Sequence, residues 1–133
     1  MTTYDEFYAL ARSARKKSYA PYSSVTVGAA LLCESGKVYI GANIENSAYS
    51  PSVCAERVAF FSAVNAGERK FKAIAVAGGK AGEEPAKCFP PCGVCRQVMA
   101  EFCDKDFKII FGADREVSFS ALLPYSFDGE YIK

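Results

Sequence analysis

Residues 25–77 read VTVGAALLCESGKVYIGANIENSAYSPSVCAERVAFFSAVNAGERKFKAIAVA, and the order of signals within them decides the fold. Two apolar runs, about Val25 to Leu32 and Lys37 to Ile44, flank Glu34-Ser35-Gly36, the pattern of a tight hairpin. Asn43 to Ser52 is polar, irregular and contains Pro51, so it reads as a loop. A helix fits about Val53 to Ala66, capped by Ser52 and ended by Gly67. Phe71 to Ala77 then reads as a buried strand. On the N-terminal side, a helix is expected from about Thr3 to Lys17. Thr3 and Glu6 have capping-box spacing, and Phe7, Leu10, Ala11 and Ala14 form an apolar stripe at helical period. Ala20-Pro21-Tyr22-Ser23 is a turn. On the C-terminal side, Gly78 to Pro91 reads as a surface loop and Cys92 to Phe102 as a helix. Phe107 to Phe111 and Val117 to Phe119 are the last strands. Ser120 to Leu123 makes a short helical turn that Pro124 ends. A hairpin followed by alternating helices and strands predicts an α/β protein: a three-layer α-β-α arrangement around a five-stranded mixed sheet.

The chain of 133 residues suits one compact domain, expected to span residues 1–133. Hydrophobic residues make up 50% and charged residues 23%, the balance of a globular protein with a real core. Basic and acidic side chains number 16 and 15, for a net charge of +1. That near-neutrality argues against non-specific nucleic-acid binding, which rests on a basic excess. No apolar run approaches the roughly 20 residues that span a bilayer. MTTYDEFYALARSARKK lacks the basic start and apolar stretch of a signal peptide. A cytoplasmic protein without membrane or nucleic-acid partners is expected.

There are six cysteines and no histidine. The missing histidine excludes a Ser-His-Asp triad, a Cys-His dyad and any histidine-ligated metal. In a reducing compartment, clustered cysteines are more often metal ligands or catalysts than disulfides. Two patterns stand out, Cys54-Ala55-Glu56 and Pro91-Cys92-Gly93-Val94-Cys95, each at an expected helix start. Partial positive charge there favours thiolate, the form that binds metal. A cysteine, a glutamate two residues on, and P-C-x-x-C beyond a strand make the zinc deaminase signature in its three-cysteine form. Cys54, Cys92 and Cys95 are then the ligands, and three ligands leave the fourth zinc position open to water. Glu56 is the proton shuttle. Three thiolates and Zn²⁺ sum to one negative charge. Arg57 and Arg96 are candidates to offset it through hydrogen bonds to sulfur, or else ordinary surface helix arginines. Cys33 and Cys103 read as buried core thiols. Cys88, four residues before Cys92, is a rival ligand: with it the site would be a closed structural zinc module and no enzyme.

The sequence resembles the cytidine deaminases of the small homotetrameric class. The likeness runs along most of the chain, through Tyr19-Ala20-Pro21-Tyr22-Ser23, Val27-Gly28-Ala29-Ala30-Leu31, Asn43-Ile44-Glu45-Asn46, Cys54-Ala55-Glu56-Arg57, Pro91-Cys92-Gly93-Val94-Cys95-Arg96-Gln97 and Leu122-Leu123-Pro124. It implies one zinc per subunit, a homotetramer, and hydrolysis of cytidine and deoxycytidine to the uridine nucleosides plus ammonia in pyrimidine salvage. A deaminase of another cytosine compound is the alternative within the same chemistry. The resemblance also assigns residues. Asn43 and Glu45 match positions that bind the ribose hydroxyls, though both are ordinary loop polars on sequence alone. The N–H of Cys92 and the C=O of Ala55 match base contacts. Gln97 matches a position near the metal, and is otherwise a solvated helix polar. Tyr49 and Phe127 match aromatics near subunit contacts, with Phe127 reaching a neighbouring active site. Val25 stands where many relatives carry a phenylalanine that packs on the pyrimidine, and the loop before Pro91 is longer than in compact relatives.

Overall fold

The computed structural model describes residues 4–133. Helix α1 (Tyr4–Ala14) continues into a tighter turn over Arg15–Lys17. The expected start at Thr3, with its capping box, lies outside the described residues. Then follow β1 (Val25–Cys33), β2 (Val38–Ala42), α2 (Ala55–Asn65), β3 (Phe71–Lys80), α3 (Gly93–Phe102), β4 (Lys108–Gly112), β5 (Arg115–Ser118) and the single turn α4 (Phe119–Leu122). The sheet order is β2-β1-β3-β4-β5. β3 and β4 are parallel, joined through α3, and every other neighbouring pair is antiparallel. The mixed sheet expected from the sequence is the one formed.

Period-2 alternation splits the core into two layers. Val27, Ala29, Leu31, Ile74, Val76 and Ile109 meet Ala59, Phe60, Ala63 and Met99 of α2 and α3 on one face. Ala30, Ala75, Ala77 and Ile110 meet Phe7, Tyr8 and Ala11 of α1 on the other. Cys33 is buried in the first layer, and burial pushes its thiol up to about 11. Cys103, half-buried at the end of α3, is raised by burial too. Both act as core thiols.

Two boundaries differ from expectation in ways that shape the site. The helix expected from Val53 begins at Ala55, with Cys54 rather than Ser52 at the N-cap. Val53 is instead paired with Ile44 by mutual backbone bonds of 2.9 and 3.0 Å, which hold it extended. Ser52 Oγ accepts from Asn46 N at 3.0 Å inside the loop. Strand β3 runs on through Gly78, Gly79 and Lys80, which pair with Val27, Thr26 and Val25. The two glycines read locally as a break, yet the neighbouring strand supplies their hydrogen bonds. Gly41 of β2 lets α2 lie close: a Cβ there would meet Ala59 N at 2.6 Å and the Ala55 carbonyl. That approach seats the first turn of α2 on the sheet.

Candidate metal centre and active-site cleft

Cys54 and Cys92 are N-caps of α2 and α3, so two helix N-termini converge on one point. Cys54 Sγ and Cys95 Sγ each lie near Cys92 Sγ, at 3.5 Å in both cases. All three sulfurs fall within 4.8 Å of one another, and no fourth His, Cys, Asp or Glu joins them among the described residues. Bonds of about 2.3 Å to a tetrahedral zinc require sulfurs about 3.8 Å apart, so the donor set and spacing fit Zn²⁺ with small adjustments. Cys88 is exposed and stands outside the cluster, which removes the closed four-thiolate reading.

The three sulfurs share their protons unequally. A hydrogen bond from Cys95, helped by Arg57 and Cys92 against the effect of burial, holds Cys54 down to about 5. Cys95, buried and donating to Cys54, is held protonated. Arg57 Nη2 donates to Cys54 Sγ at 3.4 Å. Burial opposes the guanidinium charge, but its hydrogen bonds to Cys54 and Cys95 outweigh that and raise its pKa. Arg57 Nε is buried without a partner, so the side chain is committed to the sulfur cluster rather than to solvent. Arg96 takes neither of its two expected roles: half-buried, it donates from Nε to Pro91 O at 2.9 Å and from Nη1 to Leu122 O at 2.8 Å. It fixes the backbone that enters Cys92.

Glu56 is 3% exposed in the first turn of α2. Burial raises its carboxyl to about 7; the nearby Cys54 charge adds to this, and its own backbone bond, Arg57 and Cys95 oppose it. A carboxyl poised there both accepts and releases protons at neutral pH. Glu56, Cys54 and Cys92 line a cleft of about 450 Å³.

Asn43 and Glu45 line the same cleft. Asn43 is 8% exposed. Its main-chain N–H donates to Val27 O at 3.2 Å, and its Oδ1 accepts from Val27 N at 2.8 Å. Nδ2 donates to Val25 O at 2.9 Å. The side-chain amide thus carries the β1–β2 ladder one rung past the end of β2. Glu45 Oε1 accepts from Tyr22 N and Ser23 N at 2.9 and 3.1 Å, and Oε2 accepts from Ser23 Oγ. The Ser23 hydroxyl bond, with the two backbone bonds, holds this carboxyl below its usual value.

Other expected site residues are placed less directly. Val25 is half-buried on the core face of β1, and it is Val27, not Val25, that lines the cleft. The Ala55 methyl is in the core and its carbonyl lies against Gly41; its N–H is in the first helical turn, where no intrahelical acceptor exists. Gln97 is exposed, and Nε2 donates to Phe127 O at 2.8 Å, tying the C-terminal segment to α3. Phe127 is 56% exposed and stacks on Tyr131, outside the cleft. Sequence reasoning missed Val27, Phe89 and Pro90 as cleft residues. Only the alternation along β1 could have shown that Val25 and Val27 share a face.

A mixed sheet sandwiched by helices, with three cysteine sulfurs and a buried carboxyl at two helix N-termini, defines a metal-dependent hydrolytic centre. The comparisons make that class specific. Residues 1–112 match the family model described as the cytidine and deoxycytidylate deaminase zinc-binding region. The chain is 46% identical over 130 residues to the cytidine deaminase of Sporosarcina psychrophila, covering 95% of this chain and 92% of that one. It is 47% identical over 121 residues to that of Halalkalibacterium halodurans, covering 88% of each. A crystal structure of cytidine deaminase from Burkholderia pseudomallei superposes with a TM-score of 0.84 at 42% identity, covering 95% of this chain and 100% of that one. The chain belongs to the cytidine and deoxycytidylate deaminase zinc-binding family.

Proposed function

We propose that the protein is a zinc-dependent cytidine deaminase, a hydrolase that converts cytidine and deoxycytidine to uridine and deoxyuridine plus ammonia, serving pyrimidine salvage. The observation that carries this reading is Glu56, buried beside the Cys54, Cys92 and Cys95 cluster and facing a cleft of nucleoside size. Cys54, Cys92 and Cys95 would hold Zn²⁺, which would supply Lewis-acid activation of a water, lowering its pKa toward about 7.

The chain's own residues do the rest. Hydrolysis forms a C–O bond at C4 of the ring and breaks the C–N bond to the amino group. Glu56 takes a proton from the attacking water and gives it to N3, then moves the proton left on the C4 hydroxyl to the departing amine. Ammonia leaves and the ring keeps a carbonyl. The Cys92 N–H holds the polar edge of the base as expected, and the Ala55 N–H replaces the expected Ala55 carbonyl, which is turned against Gly41. Asn43 retains one N–H and one lone pair beyond its β1 bonds, and these face the sugar hydroxyls with Glu45. Arg57 draws electron density from the sulfurs.

Exposed Phe127 and Tyr131, whose rings stack, with Ile132 next in sequence, and exposed Tyr49 beside Tyr22, support a homotetramer in which Phe127 completes a neighbour's site, since exposed apolar surface marks contact surfaces. Gln97 acts by holding the Phe127 main chain. Val25 stands behind Val27 at the base end. No helix among the described residues is long and apolar enough to cross a membrane, which suits a cytoplasmic enzyme.

The deciding experiment mixes metal-analysed protein with cytidine and follows ammonia, with Glu56→Ala in parallel. Release by the wild type and near-silence from the variant are expected. Faster turnover of free cytosine or a single-stranded oligonucleotide than of cytidine would reassign the substrate.

A further inference from the structure

Phe89 is the single aromatic side chain among the residues lining the cleft. It follows a segment, residues 81–88, that is exposed apart from half-buried Pro85, yet it is itself half-buried and packs on the core cluster. Three features hold it there. Phe89 N donates to Phe111 O at 2.8 Å, and Ala86 N donates to Gly78 O at 2.8 Å, so the loop is pinned to β4 and β3 on either side of the ring. The third is Gly78. A Cβ at Gly78 would stand 2.7–2.8 Å from three atoms of the Phe89 ring, so the ring occupies the space that a side chain there would fill. Gly78 pairs with Val27, which lines the cleft, so ring and valine form one apolar surface across β1 and β3. Glu56, Cys54 and Cys92 line the same cleft.

We propose that Phe89 is the aromatic wall against which the face of the pyrimidine packs, and that Gly78 is the seat that sets how far the ring projects. The inference rests on the cytidine reading above. A planar base between a metal centre and an apolar ring gains orientation as well as burial. Ring–ring packing contributes about 0.5–1.5 kcal/mol beyond area, or about 2- to 12-fold in affinity. Phe89 is a positioning residue; it donates and accepts no proton. The loop before Cys92 then does more than connect elements, because it delivers the wall of the base site.

The test measures inhibition by uridine and by 5,6-dihydrouridine, whose ring is saturated and puckered, in the wild type, Phe89→Leu and Phe89→Tyr. The wild type should favour uridine. Phe89→Leu should raise the KM for cytidine about 3- to 10-fold, change kcat less than twofold, and narrow the uridine preference, with zinc content intact. Phe89→Tyr should restore KM and preference. Gly78→Ala, which forces the ring into the cleft, should raise KM without lowering zinc content. An unchanged KM and preference in Phe89→Leu would overturn the proposal. So would parallel loss of zinc and kcat in both Phe89 variants, the mark of a purely structural ring. A wild type that neither deaminates cytidine nor binds uridine would defeat the underlying substrate reading instead.

Discussion

Removing the Asn43 side chain should damage the protein twice, through stability and through sugar binding. In Asn43→Ala, the Val27 N–H loses its 2.8 Å acceptor and the Val25 carbonyl loses its 2.9 Å donor. Asn43 is 8% exposed, so neither group is freely hydrated after the change. A buried N–H left unsatisfied costs about 1–3 kcal/mol, and a carbonyl with a second lone pair costs less. The sum is about 2–4 kcal/mol. For a chain of this size about 4 °C of Tm corresponds to each kcal/mol, which gives a drop of about 8–16 °C. The assay is thermal unfolding with saturating zinc at one fixed protein concentration, beside the KM for cytidine. Asn65→Ala, exposed at the end of α2, is the control and should change stability by less than about 0.5 kcal/mol. A Tm drop under about 2 °C would refute the reasoning. Water from the cleft would then be replacing both bonds, and Asn43 would serve the sugar alone.

Glu56→Gln should keep its zinc and lose about 10²- to 10⁴-fold in kcat; a loss under tenfold would remove Glu56 from proton transfer. Arg57→Gln leaves Cys54 without its 3.4 Å donor and should lower metal affinity or activity about 10- to 100-fold, read by chelator competition and turnover. Cys88→Ser should retain full zinc stoichiometry and turnover, because the thiol is exposed and outside the cluster; loss of zinc would revive the four-thiolate site. Chelation should abolish ammonia release and lower the Tm, and added Zn²⁺ should restore both.

The chemistry was legible in the sequence because it is encoded at short range. The spacing from Cys54 to Glu56 and from Cys92 to Cys95 lies within one helical turn, so the side chains share a terminus whatever the rest of the chain does. The absence of histidine narrowed the ligands to thiolates. The hairpin and the alternating helices and strands gave the mixed sheet, since hydrophobic period reports which face is buried. Boundaries were less legible where the partner lies far along the chain. Val53 pairs with Ile44 and moves the start of α2 onto Cys54. Gly78 and Gly79 look like a break, but β1 holds them in β3.

Which residues stand together was decided by tertiary structure. Cys54 and Cys92 are 38 positions apart, and only the packing of α2 and α3 on one face brings their sulfurs to 3.5 Å. Arg57 stands three residues after the N-cap Cys54 and Arg96 four after the N-cap Cys92, and one turns to sulfur while the other turns to the Pro91 and Leu122 carbonyls. Register placed Val27 rather than Val25 in the cleft, and set Phe89 over Gly78. Sequence spacing fixes what a helix turn can hold, because covalent geometry and the helical period are local. Strand register and the meeting of two helix termini depend on contacts across the whole chain, which only the folded backbone supplies.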